Sequence, residues 1–113
     1  MTTPGGPSGG QGKTGTLLHA DTLAEAKAGE YKLPEVIRPN WKRFTNSASS
    51  KYRDFSVTYA PDGGYIFKTV KPGNVPGSRA EYYKEVDAFG VTTACYKLTY
   101  DPQGNLVHRK DKM

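Results

Sequence analysis

The sequence predicts an α+β fold: an N-terminal helix packed on a twisted, four- to five-stranded antiparallel meander. Three observations point there. Turn signals recur at near-even spacing in residues 55–113, at Pro61-Asp62-Gly63-Gly64, Asp87-Ala88-Phe89-Gly90 and Asp101-Pro102-Gln103-Gly104-Asn105. Between them, aromatic and β-branched residues alternate with polar ones, the period of a half-buried strand. Before residue 55 the chain reads as tail, connector and a single helix.

Taken in order, residues 1–15 are Gly- and Pro-rich with almost no apolar side chain, and predict a flexible linker that leaves residues 16–113 as the domain. Asp21 is the expected N-cap of a helix over Thr22–Gly29, with Leu23, Ala24, Ala26 and Lys27 as helix formers and Gly29 as the stop. His19, just before it, reads as a connector residue. Pro34 and Pro39 in Leu33–Trp41 argue against a regular helix and for an extended strap docked by Val36, Ile37 and Trp41. Thr45–Ser50 reads as a polar loop.

In the first hairpin, a type I turn with Gly63 in the left-handed region pairs Tyr59 with Tyr65 and Val57 with Phe67. Lys71–Ser78 predicts an irregular crossover. Continuous registers then pair Lys84 with Ala94, Tyr82 with Tyr96 and Glu81 with Lys97, and next Tyr100 with Leu106 and Leu98 with His108. That sorts Tyr82, Lys84, Val86, Ala94, Tyr96, Leu98, Tyr100, Leu106 and His108 onto a core face. Glu81, Tyr83, Glu85, Thr93, Cys95, Lys97, Thr99, Val107 and Arg109 fall on a working face. A slip of one residue swaps a strand between the two.

Composition narrows the chemistry. The chain has 113 residues and a net charge of +5. Residues 1–50 carry six basic and four acidic side chains, residues 51–113 ten and seven, so the excess is spread out rather than concentrated in a basic arm. Such a balance suits a polyanionic partner, and equally an ordinary basic surface or an acidic inhibitor protein. No stretch approaches the ~18 apolar residues of a membrane span, and no apolar segment of a signal peptide follows Met1. Cys95 is the single cysteine, expected as a small half-buried hydrophobe, and His19 and His108 lie far apart, so neither a disulfide nor a metal centre is expected. The run Gly5–Thr14 imitates a phosphate-binding loop but has no strand before it.

What remains suits RNA cleavage by the RNA's own 2′-hydroxyl. That reaction needs a base, cations for the phosphorane charge and an acid for the leaving 5′-oxygen. His108 is the expected proton carrier, since imidazole exchanges protons near neutral pH. Lys97 and Arg79 supply fixed charge, and Tyr83 and Thr99 donate hydrogen bonds. Lys68, Lys84 and Arg109 are the expected substrate-binding cations, and tyrosine rings can stack on splayed bases. No cofactor is expected.

Leu33-Pro34-Glu35-Val36-Ile37-Arg38-Pro39-Asn40-Trp41 resembles the connector that precedes C-terminal toxin domains of bacterial polymorphic toxins, of the contact-dependent inhibition and Rhs types. The stretch Val75–Lys112, with Val75-Pro76-Gly77-Ser78, Tyr82–Asp87 and Thr99–Lys112, is similar to the ends of such modules. A helix before a four- or five-stranded sheet resembles the small ribonuclease superfamily of barnase, colicin-type tRNases and RelE. The resemblance implies a secreted effector acting in the target-cell cytoplasm. It implies a metal-independent endoribonuclease with tRNA as its first candidate substrate, held in check by an acidic immunity protein and otherwise monomeric. Two alternatives stand beside it: an ADP-ribosyltransferase toxin, for which the chain is short, and a non-enzymatic basic β-domain that binds RNA or protein.

Overall fold

Three turns of one design set the meander. In each, a first residue donates its N–H to the carbonyl four positions on: Ala60 to Gly64 at 2.9 Å, Asp87 to Val91 at 2.8 Å and Asp101 to Asn105 at 3.0 Å. In each, a glycine closes the turn from the left-handed region, Gly63 and Gly90 at φ +89° and Gly104 at φ +87°, where a side chain is strained. The Asp87 carboxylate accepts the N–H groups of Phe89 and Val91, and Asp101 does the same for Gln103 and Asn105, which fixes both turns locally.

The structure, a computed structural model, describes residues 14–113. The expected linker over residues 1–15 lies outside that range except for Thr14 and Gly15. The elements are β1 (Thr16–Thr22), α1 (Leu23–Ala28), 3₁₀ turns at Gly29–Lys32 and Glu35–Ile37, α2 (Arg38–Asn46), β2 (Arg53–Tyr59), β3 (Tyr65–Pro72), β4 (Arg79–Val86), β5 (Thr92–Tyr100) and β6 (Leu106–Asp111). All strands are antiparallel, in the order β1-β2-β3-β4-β5-β6. The α+β class holds. The sheet has six strands rather than four or five, because Thr16–Thr22 forms an edge strand where a connector was expected.

Several local expectations are corrected. The cap of α1 is Thr22, not Asp21: its side chain accepts from Glu25 N–H while Glu25 reaches back to the Thr22 N–H, a capping box. The strap before Trp41 is helical from Arg38, and α2 runs on through Thr45 and Asn46. Pro39 permits this because it sits in the first turn, where its missing N–H has no partner to lose. Lys71 and Pro72 belong to β3, so the irregular connection is shortened to residues 73–78.

The first hairpin has the expected register, Tyr59 opposite Tyr65 and Val57 opposite Phe67. The other two start in it and then lose it. Val86 faces Thr92, but the next rung pairs Glu85 with Ala94, leaving Thr93 as an extra residue. Tyr100 faces Leu106, but Thr99 faces His108, leaving Val107 extra. Each bulge shifts the rest of its ladder by one residue. Lys84 therefore opposes Cys95, Tyr82 opposes Lys97, Tyr83 opposes Tyr96, Glu81 opposes Leu98, and Leu98 opposes Arg109. The expected face assignment of β5 is thereby inverted relative to β4.

The helices cover one face of β1–β3. Trp41, fully buried, stands at the centre, with ring centroids 5.2 Å from Phe67, 5.6 Å from Phe44 and 6.4 Å from Phe55. Its indole N–H donates to the Ala26 carbonyl at 2.9 Å, joining α2 to α1. Leu18, Ala20, Leu33, Ile37, Val57 and Val86 complete the core. The end of α2 reaches over the near part of β4 and β5, and among the described residues no helix covers β6.

Candidate functional site

The sheet register sorts the functional side chains into rungs that run across β3–β6. On the helix side, one rung reads Phe67, Lys84, Cys95, the next Thr69, Tyr82, Lys97, Lys110, and the outermost Lys71, Ala80, Thr99, His108. Lys112, just past β6, joins the first rung by donating its N–H to the Cys95 carbonyl at 2.8 Å. Successive rungs lie ~7 Å apart, two residues along each strand.

Where α2 ends, the helix side opens into a cleft of about 370 Å³ lined by Arg43, Phe44, Tyr52, Tyr82, Lys84, Cys95 and Lys112, with Ser47, Ala48, Thr69 and the strand positions Tyr83 and Tyr96 completing its walls. The rings of Tyr52 and Tyr82 meet with centroids 5.3 Å apart. Ammonium groups surround them: Lys97 at 5.6 Å and Lys112 at 5.5 Å from the Tyr82 centroid, and Lys71 at 5.8 Å from Tyr52. Burial, and then the charge of Arg43, hold the Lys84 ammonium below its ordinary pKa. Among the described residues, no Asp or Glu lines this cleft or faces this side from β4, β5 or β6. Among the described residues, Arg43, Lys71, Lys84, Lys97 and Lys112 form no ion pair.

The opposite face is built the other way. Glu81, whose side chain keeps 8% of its surface exposed, is its hub. Arg79 Nε donates to it at 2.9 Å, the Tyr83 hydroxyl at 2.7 Å, and the Lys68 ammonium stands 3.9 Å away. Burial pushes the Glu81 carboxyl up, but the hydrogen bonds from Tyr83 and Arg79 and the charges of Lys68 and Arg79 outweigh it, so it lies below its ordinary value. Around the hub, Arg79 stacks on Tyr100 at 4.3 Å, Arg109 on Tyr96 at 4.5 Å, and Tyr83 on Tyr96 with centroids 5.0 Å apart. The Tyr96 hydroxyl donates to Glu85 at 2.7 Å and is pushed up to about 12 by burial, that hydrogen bond and the Glu85 charge. Arg109 also pairs with Asp111 at 3.1 Å. Here Lys68, Arg79 and Arg109 each have a carboxylate partner.

The residues singled out from sequence thus divide. His108, Lys97, Thr99 and Lys84 share the helix-side face, with His108 exposed and directly opposite Thr99. Arg79, Tyr83, Lys68 and Arg109 lie on the far face, engaged by Glu81 and the tyrosines. The expected Glu81–Lys97 pair does not form, since the bulge at Thr93 puts them on opposite faces. Sequence reasoning missed Tyr52, Arg43 and Lys112 as neighbours of Lys84, which only α2 and the shifted register bring together. It also missed Glu81 as a hub, although the alternation Arg79-x-Glu81-x-Tyr83 carries that signal. Apart from these sites, His19, Asp21 and Asp54 bring ligand atoms within 4.8 Å of one another, all exposed. Among the described residues, no helix is long and apolar enough to cross a membrane.

No protein-family model, curated protein or solved structure matches the chain.

Proposed function

We propose that this chain is a metal-independent endoribonuclease, the toxin domain of a bacterial polymorphic toxin, and that its chemistry belongs to the helix-side face of β4–β6. The observation that carries this reading is the grouping of His108, Lys97, Thr99 and Lys84 beside a cleft whose cations have no carboxylate partner among the described residues. A polyanion supplies the counter-charge such a surface lacks.

The reaction is attack of an RNA 2′-oxygen on the adjacent phosphorus. A bond from the 2′-oxygen to phosphorus forms and the bond to the 5′-oxygen breaks. The 2′-hydroxyl proton passes to a base and the 5′-oxygen takes one from an acid. His108 takes the 2′-hydroxyl proton and, as the protonated imidazole, returns it to the leaving 5′-oxygen. Lys84, two rungs along the strands and two strands over, is out of reach of that phosphate and binds the RNA. Lys97 and Lys110, cross-strand neighbours, supply fixed positive charge for the phosphorane, and the Thr99 hydroxyl, beside His108, donates a hydrogen bond. The natural inhibitor of such an enzyme is an acidic protein that covers this face and competes with RNA.

The Glu81 hub favours a second reading, in which the far face is the active site and the carboxylate is the base. Its partners argue against it. Arg79 and Lys68 are already committed to Glu81, and burial of the carboxylate keeps a substrate hydroxyl away from it.

Making the domain in bacteria without an inhibitor tests the function. Growth should stop with tRNA or rRNA cut and DNA intact, and pure domain should cut total RNA in EDTA. Arrested cells with intact RNA would overturn the proposal.

A further inference from the structure

The helix-side cleft is larger than proton transfer and phosphorane binding require, and it is shaped differently from the open rungs beside it. At about 370 Å³ it sits at the small end of ligand pockets, which run from about 300 to 1,000 Å³. Its long wall is aromatic, Phe44 from α2 with Tyr52 and Tyr82 from the sheet side, and its charged groups, Arg43, Lys84 and Lys112, converge from α2, β4 and the C-terminal end. The Arg43 guanidinium is oriented by a 2.6 Å hydrogen bond to Asn40 Oδ1. Flat rings next to unneutralised cations are what a nucleobase and its phosphate require. The cleft lies under the end of α2, so a base pair cannot follow a base into it.

Resting on the ribonuclease reading, we propose that this cleft holds one unpaired nucleotide of a single-stranded RNA, its base against Tyr52 and Tyr82 and its phosphate between Lys84, Lys112 and Arg43. The strand then continues over Lys97 to the rung of Thr99 and His108, one step further along β5. The substrate is therefore looped or unpaired RNA, and the cleft rather than the cutting residues rejects a duplex.

Cys95 reports on this directly, because it is the single cysteine and lines the cleft. The probe is a 2′-O-methyl hexanucleotide, which cannot be cut, offered alone, annealed to its complement, and beside polyphosphate of matched charge. The single strand should slow alkylation of Cys95 by about 10-fold at saturation while the duplex and polyphosphate leave it near the free rate. Lys112→Ala, at an exposed position, and Tyr82→Ala should each weaken the single strand by about 10-fold, the scale of a lost base stack or phosphate contact. Both should melt as cooperatively as the parent. Equal protection by duplex or polyphosphate, or a hexanucleotide that binds without shielding Cys95, would overturn the proposal. Because nothing is cut in this assay, a protein that binds the single strand here and yet leaves RNA intact would defeat the ribonuclease reading and leave the cleft standing.

Discussion

Glu81→Gln is the substitution that separates the two faces of the sheet. Glutamine keeps the shape of the side chain but offers one acceptor oxygen where the carboxylate offers two, one to Arg79 at 2.9 Å and one to Tyr83 at 2.7 Å, and it removes the charge. A hydrogen bond to a charged group contributes about 1.5–3 kcal/mol and a neutral one about 1 kcal/mol. Losing the charge thus costs about 0.5–2 kcal/mol at each contact. Arg79 and Lys68 keep 38% and 37% of their surface exposed, so water takes over part of their solvation. That brings the expected loss to about 2 kcal/mol. For a chain of this length it lowers Tm by about 8 °C. The effect depends on pH in a defined direction. The folded carboxyl titrates below its ordinary value of 4.5, so its stabilisation is fully present above that pH. It is lost as pH falls through the lower, folded value, where parent and variant converge. Urea melts at pH 7, 4.5 and 3 measure this. Cleavage per folded molecule should stay within about twofold of the parent, because Glu81 takes no part in the proposed chemistry. A variant with an unchanged Tm and cleavage reduced by 10²-fold, the scale of a lost acid–base group, would refute the reasoning and move the active site to the far face.

His108→Ala and Lys97→Ala should each lower cleavage by about 10²-fold or more while leaving the melting transition in place, checked by initial rates on a labelled RNA beside thermal melts. Lys84→Met keeps the aliphatic stem and removes a charge that burial and Arg43 disfavour. The folded pKa of Lys84 lies below its ordinary 10.5, so the penalty for the charged form is present at low pH and relieved as pH rises. The variant should therefore be more stable than the parent at neutral pH, converge with it toward pH 10.5, and bind RNA more weakly. Denaturant melts across pH would show the opposite trend if Lys84 were stabilising. Gly90→Ala forces a side chain onto a backbone at φ +89° and puts its Cβ 2.6 Å from the Val36 carbonyl oxygen, next to the 2.9 Å bond from Asn40 to the Gly90 carbonyl. A loss of about 2–4 kcal/mol is expected in urea unfolding, and a loss under 0.5 kcal/mol would mean that this contact does not hold the β4–β5 turn to α2.

Turn chemistry made most of the sheet legible. Gly63 sits in the left-handed region where the sequence placed it, and the first register follows from it directly, while Gly90 and Gly104 close the other two turns that the sequence marked. The bulges at Thr93 and Val107 were not legible, because an extra residue in a strand leaves no mark in an alternating pattern. The consequence falls on function: without the bulges, Lys97 and Thr99 sort with Tyr83 and Arg109 and away from His108, whereas the structure sets all three on one face. Pro39 misled for a different reason, since a proline in the first turn of a helix and one in an extended strap look alike from sequence. The aromatic cleft needed α2 in place before Arg43 and Phe44 could meet Tyr82 and Lys84. Glu81 was hidden because an alternating strand of charged and aromatic residues reads as a solvated face until its partners are known.

The central claim is that an RNA 2′-hydroxyl is the nucleophile and that side chains of this domain supply all the charge and proton transfer. It is tested most directly with two oligonucleotides of one sequence in EDTA, one all-RNA and one with a single 2′-deoxy sugar 5′ to the mapped cut. The all-RNA strand should be cut to a 2′,3′-cyclic phosphate and a 5′-hydroxyl, read by mass, and the deoxy strand should survive at that position. Cleavage that passes through the 2′-deoxy site, or that stops on removal of divalent ions, would contradict the account.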